Sequence, residues 1–316
     1  MSYVPFMATI EANVRKYGER QAYKVYREGG WQTVSWNEFW QHIGRVASAL
    51  WAHNLGEEDF VALYAPNCPE WTEVDYACMA VKAVTVAVHA TCSTEAVRQI
   101  FTETTPKLTF VGNPELAQKL LETAPEVGQV VLLEGEYPGC QTLEQFLEVP
   151  FRPDWNKRVA ETKDSDLWTI VYTSGTTGEV RGAMLTHGNI VYQVERHRDR
   201  LPDVSDADSS FCMLPLSHIF ERGWSSVQYC WGMTYHYCAP SPEIVKLLPE
   251  AKPAVICVVP RILEKIYAAI QEKFQSKPPA VRHFIEGLIE VGRQYQREIM
   301  AGRQPSWWLR MRQAVA

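Results

Sequence analysis

Residues Tyr172-Thr173-Ser174-Gly175-Thr176-Thr177-Gly178 gather hydroxyl side chains and glycines into one short stretch. Such a stretch can wrap an anion. Glycine lets the backbone approach closely and take unusual dihedral angles. Backbone N–H groups and the hydroxyls of Thr173, Ser174, Thr176 and Thr177 then donate hydrogen bonds to phosphate oxygens. Arg181, just beyond Gly178, supplies positive charge. Two familiar phosphate loops are excluded: the Gly-Lys-Ser/Thr ending of a Walker A loop is absent, and G-x-G-x-x-G does not occur here. On composition alone, a flexible Ser/Thr/Gly linker is the alternative reading.

The order of the residues goes further than their composition. Tyr172 to Gly178 resembles the signature phosphate loop of the adenylate-forming superfamily, which contains acyl-CoA synthetases, luciferases and peptide-synthetase adenylation domains. Gly182-Ala183-Met184-Leu185-Thr186-His187-Gly188-Asn189 continues the likeness. Three more segments resemble the long-chain fatty acyl-CoA synthetase branch: Leu214 to Arg222 around His218, Lys252-Pro253-Ala254-Val255 continued by Val259 to Lys265, and the tail from Gly302 to Arg312. The resemblance implies a layered α/β fold of parallel-rich sheets flanked by helices. It implies ATP, Mg²⁺ and CoA as cofactor and co-substrates, and a fatty acid as the acid. It places Thr173, Ser174, Gly175, Thr176, Thr177, Gly178 and Arg181 on the nucleotide, Thr173 on Mg²⁺ as well, and His218 beside the reacting carboxylate as the catalytic candidate. The sequence departs from the family in three places, one of them at Lys82 and Val84, where a small, Gly-containing turn into a strand is frequent. Val180-Arg181-Gly182 stands where Pro-Lys-Gly is usual, and arginine keeps the charge without the compact ammonium. His89-Ala90-Thr91-Cys92 replaces a stretch that commonly carries Tyr or Asn with Pro and Thr.

The family also implies a longer protein. Its second half carries a Tyr-Gly-x-Thr-Glu segment, a ribose-binding aspartate, and a small C-terminal domain with a catalytic lysine. Neither Tyr-Gly-x-Thr-Glu nor Thr-Gly-Asp occurs here. The expectation is an incomplete AMP-binding N-terminal domain over 1–316, with subdomains 1–163 and 164–316 and no C-terminal domain. Such a chain should turn over at least roughly a thousandfold more slowly than a complete ligase. The competing readings are a diverged, non-catalytic nucleotide- or acyl-binding module, and a fragment of a medium-chain or aryl-CoA ligase.

The elements that must position these residues can be read from pattern. Phe6 to Tyr17 has helical spacing of apolar residues, and Ala22 to Val34 reads as a hairpin turning at Gly29-Gly30. Ser35 and Glu38 have capping-box spacing at the start of a helix. Strands at Phe60–Tyr64, Val84–Val88, Leu108–Val111 and Gln129–Leu133 alternate with helices from Pro69 and Pro114, which predicts a parallel sheet covered on both faces. Pro150 to Lys163 reads as a polar, irregular linker. Trp168 to Tyr172 is a strand that delivers the phosphate loop. Phe211–Leu214 and Ala254–Val259 read as further strands, and Val281 to Ile299 as a long amphipathic helix. At single positions, Glu221 and Arg222 suggest a local ion pair, Trp224 a core tryptophan rather than a tunnel gate, and Arg261 and Glu264 an i,i+3 pair. Trp307-Trp308 with Arg310 and Arg312 fits an interfacial membrane contact or, on the simpler reading, an interior helix without its partner.

The bulk composition sets outer bounds. A hydrophobic fraction of 46% supports a real core, and 22% charged residues argue against disorder. A net charge of -6 argues against nucleic acid as a partner, because phosphate backbones need a basic face. The eight cysteines form no C-x-x-C pair and sit mostly in apolar runs, as reduced, buried thiols do. There is no signal-peptide pattern at the start and no window of some eighteen apolar residues. The expected location is cytoplasmic, and a peripheral place at the inner membrane face is compatible with it.

Overall fold

The computed structural model describes residues 3–174, 179–238 and 244–315. In chain order its elements are α1 (Phe6–Tyr17), β1 (Gln21–Arg27), β2 (Gly30–Ser35), α2 (Trp36–Ala52), β3 (Phe60–Tyr64), α3 (Pro69–Val81), β4 (Val84–Val88), α4 (Thr94–Thr104), β5 (Leu108–Val111), α5 (Pro114–Thr123), β6 (Gln129–Leu132), β7 (Gln141–Thr142) and α6 (Leu143–Phe146). A short 3₁₀ turn over Lys157–Glu161 precedes β8 (Leu167–Ser174), β9 (Val180–Thr186), α7 (His187–Arg200), β10 (Ser209–Phe211), α8 (Ile219–Trp231), β11 (Thr234–Cys238), α9 (Ile244–Ala251), β12 (Val255–Ile256), α10 (Pro260–Gln275), α11 (Pro279–Met300) and α12 (Trp307–Val315).

The strands assort into two sheets. One has the order β7-β6-β5-β3-β4-β8-β9, and the other β12-β10-β11-β1-β2. All neighbours are parallel except the hairpins β8–β9 and β1–β2. Parallel-rich sheets flanked by helices are what the resemblance implies, and the strands read from pattern as one parallel sheet, β3 to β6, fall together in the larger of the two. The residue-163 division does not separate them: β8 and β9 lie in the sheet of β3 to β7, while β1 and β2 join β10 to β12. Contacts instead divide the chain into Met1–Cys257, which holds both sheets, and Val258–Ala316.

Within Met1–Cys257 the pattern of residues explains the layers. Every residue of β4 is buried, as a central strand that is apolar but for Thr85 and covered on both faces should be. The helix α3 is buried along nearly its whole length, from Pro69 to Val81, because it bonds to both sheets. Its Thr72 Oγ1 lies 2.9 Å from the Tyr237 hydroxyl on β11, and its Glu73 accepts from the Tyr23 hydroxyl on β1 at 2.7 Å. Toward the larger sheet, its Asp75 accepts from Thr85 Oγ1 on β4 at 3.0 Å, so the buried carboxylates of Glu73 and Asp75 and the Thr72 hydroxyl have partners. The predicted capping box is present: Glu38 N donates to Ser35 Oγ, and Ser35 N donates to Glu38 Oε2 at 2.7 Å.

Some local expectations change. The segment 150–163 is packed rather than a free linker. Trp155 is buried against Trp40 at 4.5 Å between ring centroids, and Arg152 N donates to Ser48 Oγ at 3.0 Å. The strand expected over Phe211–Leu214 ends at Phe211, because Leu214 N is bound by the Glu221 carboxylate at 2.8 Å instead of by a neighbouring strand. Lys82 takes φ +65 where a glycine would be at ease, and its ammonium meets Glu57 and Asp166 at 2.6 and 3.3 Å.

The unit Val258–Ala316 consists of α10, α11 and α12, with α11 packed against α12. Val291 is buried there, while Leu263, Tyr267, Phe284, Trp307 and Trp308 are exposed. Arg261 and Glu264 both sit on α10 and form no ion pair among the described residues.

Candidate active site

Ligands of open α/β sheets settle in the crevice beyond the carboxyl ends of the strands, where the strand order reverses direction. This chain has two such reversals. In the larger sheet, the chain steps from β3 to β4 on one side and then to β5 on the other. In the smaller sheet it steps from β10 to β11 and then back to β12 on the far side of β10. The loops leaving β3, β4, β10 and β11 meet at one cavity of about 150 Å³. Ala65 to Asn67 come from the end of β3, His89 to Thr91 from β4, Cys212 to Ser217 from β10, and Cys238 from β11.

His218 follows this lining directly, as the N-cap residue of α8. Its loop is held from three sides. Asn67 Nδ2 donates to Leu214 O at 2.7 Å, and Leu216 N donates to Asn67 Oδ1 at 2.8 Å. One side-chain amide thereby ties the loop after β3 to the loop after β10. The Glu221 carboxylate accepts from Leu214 N at 2.8 Å and from the Tyr235 hydroxyl. Burial pushes the Glu221 carboxyl up to about 7, against the pull of those hydrogen bonds.

Glu221 and Arg222 do not form the local ion pair expected of them, since neighbouring residues on a helix point different ways. Arg222 turns inward to α3, where its Nε donates to Asp75 Oδ2 at 2.9 Å and its second guanidinium nitrogen pairs with Asp75 Oδ1. The same guanidinium reaches Thr85 Oγ1 on β4 at 2.6 Å and Thr169 Oγ1 on β8 at 2.7 Å. It lies over the Trp168 ring, 4.2 Å from the centroid. The helix capped by His218 is therefore bolted to β8, which leads to the phosphate loop, and to its neighbour β4, which leads to His89. Trp224 is a packed tryptophan whose Nε1 donates to Ser210 Oγ at 3.0 Å.

The phosphate-loop residues are delivered by the β8–β9 hairpin. Thr173 lies opposite Arg181 and Ser174 opposite Val180, and both Thr173 and Arg181 are exposed. Gly175, Thr176, Thr177 and Gly178 lie outside the described residues, as does the Ser174 side chain. At Gly182 a Cβ would sit 2.8 Å from Ile170 Cγ2 and 3.2 Å from the Tyr172 ring, so glycine is what lets the strands close there. From α4, Gln99 grips the returning strand: its Nε2 donates to Val180 O at 2.9 Å, and Val180 N donates to its Oε1 at 3.1 Å. Tyr172 fixes the outgoing strand through Glu103 at 2.9 Å.

The registry of β4 with β8 connects this hairpin to the histidine. Ala87 is paired with Val171, so His89 and Thr173 each stand two residues further along adjacent parallel strands. His89 in turn meets His218 edge to face, with ring centroids 4.8 Å apart at 88°. His89, Asn67 and Gln99 carried no signal in the sequence beyond the departure at His89 to Cys92. Asn67 looked like a strand breaker, and the helix of Gln99 was not anticipated.

No group of three His, Cys, Asp or Glu side chains that could hold a metal is present among the described residues. Mg²⁺ that arrives with a nucleotide takes few protein oxygens beside the substrate phosphates, and a hydroxyl is such an oxygen. The hydroxyl of Thr173 is the exposed oxygen at the exit of β8.

Two parallel-rich sheets whose strand-end loops share one cavity, with the β8–β9 hairpin beside them, define an open α/β protein of the kind that takes ligands beyond the carboxyl ends of its strands. The chain belongs to the AMP-binding enzyme family, whose model matches residues 10–305. It is 27% identical over 260 residues to the long-chain-fatty-acid–CoA ligase FadD15 of Mycobacterium bovis, covering 79% of this chain and 43% of that protein. It is 28% identical over 304 residues to long-chain-fatty-acid–CoA ligase 6 of Rattus norvegicus, covering 89% and 43%. The crystal structure of a long-chain-fatty-acid-CoA ligase (FadD1) from Archaeoglobus fulgidus has the same fold, with a TM-score of 0.72 at 19% identity over 86% of this chain and 55% of that one. The chain spans less than half the length of those curated relatives. No helix among the described residues is long and apolar enough to cross a membrane.

Proposed function

We propose that this chain is the nucleotide- and acid-binding part of an ATP-dependent long-chain fatty acid–CoA ligase, which converts fatty acid and ATP to acyl-AMP and then to acyl-CoA. The observation that carries this reading is the convergence of loops from both sheets on one cavity, with His218 following its lining and the β8–β9 hairpin on the strand beside β4. In it, the hydroxyls of Thr173, Ser174, Thr176 and Thr177 and the backbone at Gly175 and Gly178 donate to the phosphates. Arg181 supplies charge from the facing strand, Thr173 also offers an oxygen to Mg²⁺, and the His218 imidazole orients the carboxylate. The long-chain ligases among the relatives support a fatty acid as the acid.

Dodecyl-AMP, an alkyl ester that mimics an acyl adenylate, spans both half-sites and tests the reading by calorimetric titration. It should bind at least about tenfold more tightly than AMP, because the acyl side adds apolar burial. Equal affinity for dodecyl-AMP and AMP would overturn the acid half of the proposal, and no affinity for either would overturn all of it. Fatty-acid-dependent ATP–pyrophosphate exchange by residues 1–316 should fall at least about a thousandfold below that of a complete ligase, since no second half contributes charge stabilisation. The second reading, a non-catalytic binding module, is favoured by Val180-Arg181 at the family's usual Pro-Lys.

A further inference from the structure

His89 stands at the end of β4 in a position that the resemblance assigns no role. Its ring packs edge to face on His218, with centroids 4.8 Å apart. Among the described residues the His218 side chain has no hydrogen-bond partner and caps no backbone N–H of α8, so the His89 ring is the contact that restrains it. His89 is itself fixed: Thr91 N donates to its Nδ1 at 3.4 Å, and the ring is half-buried in the cavity wall. Burial first, and the neighbouring His218 second, hold the His89 imidazole below its ordinary proton affinity, so it restrains His218 as a neutral ring.

We propose that His89 is a positioning residue, which sets the His218 imidazole in the orientation that receives the substrate carboxylate. The inference rests on the ligase reading above, because it needs His218 to meet a carboxylic acid. It also gives a meaning to the departure at His89 to Cys92: an aromatic ring is kept at the end of β4. An edge-to-face pair is a modest interaction, so its loss should be visible in acid binding without unfolding the protein.

The test is calorimetric binding of dodecanoate, with 1-dodecanol and MgATP as parallel titrants, to the whole chain and to His89→Phe, His89→Leu and His89→Ala. His89→Leu keeps the bulk without a ring and guards against a cavity effect in His89→Ala. The expected result is dodecanoate binding weakened about five- to tenfold in the Leu and Ala variants and restored to within about twofold by Phe. Dodecanol and MgATP should be unchanged throughout. Unchanged dodecanoate binding in His89→Leu overturns the inference and leaves the ligase reading standing. Equal weakening of dodecanoate, dodecanol and MgATP also overturns it, because that is the signature of general damage. A wild-type chain that binds MgATP but no dodecanoate overturns the ligase reading, and the inference falls with it.

Discussion

Asp75 and Arg222 are opposite charges, both about 1% exposed, on helices that belong to different layers. Their attraction offsets the large cost of dehydrating them only while both are present. Asp75→Asn should cost about 3–5 kcal/mol in a denaturant melt, because a buried guanidinium would lose its counter-charge. A cost below about 1 kcal/mol would show that the pair does not anchor α8. Glu221 and His187 pull stability in opposite directions with pH. The Glu221 carboxyl is raised to about 7 in the fold, so its contribution is complete below the unfolded value near 4.5 and is lost as pH rises through about 7. His187 is lowered to about 4 by burial, so its contribution is complete above about 6.5 and is lost as pH falls through about 4. Each is worth about 3 kcal/mol at full extent, and between these limits they nearly cancel. Glu221→Gln removes one of them. Its unfolding free energy should rise by about 3 kcal/mol from pH 4 to pH 6.5, while the wild type changes far less. Parallel pH profiles for the two proteins would contradict the assignment.

At the level of elements, α8 is built to end where it does. Gly232 takes φ +76 as its C-cap, and a Cβ there would lie 2.2 Å from the Tyr17 ring. Gly232→Ala should therefore cost about 1–3 kcal/mol, from the left-handed backbone and the overlap with α1 together, as read from the shift in melting temperature. Much of this level was legible in advance. The Ser35 and Glu38 spacing, the Val-rich β4 and the Phe6–Tyr17 pattern carry their structure in local sequence. The strand ends were less legible, because Leu214 is claimed by Glu221, a side chain seven residues on, and no local pattern announces that bond. The segment 150–163 looked like a linker because its packing runs through scattered residues, Trp155 against Trp40, the Arg152 amide on Ser48 and a buried Val159, with no periodic apolar pattern.

At the scale of the whole molecule, the cavity exists because loops leaving strands of both sheets meet there. Strands far apart in sequence make each sheet: β1 pairs with β11, and β4 with β8. That assortment is non-local, which is why a division at residue 163 looked reasonable from sequence. The phosphate loop and His218 could be identified as residues, yet what joins them could not. His89 follows from the β4–β8 registry, and Asn67 from a loop–loop bond across the sheets. The central claim is that the β8–β9 hairpin delivers a nucleotide phosphate site in which the Thr173 hydroxyl takes part. Titration of MgATP into the wild-type chain, Thr173→Val and Thr173→Ser tests it most directly. Saturable binding is predicted, weakened about tenfold or more by valine and recovered to within about threefold by serine, as the loss and return of one charge-assisted hydrogen bond require. No saturable binding, or equal affinity in all three proteins, would contradict the account.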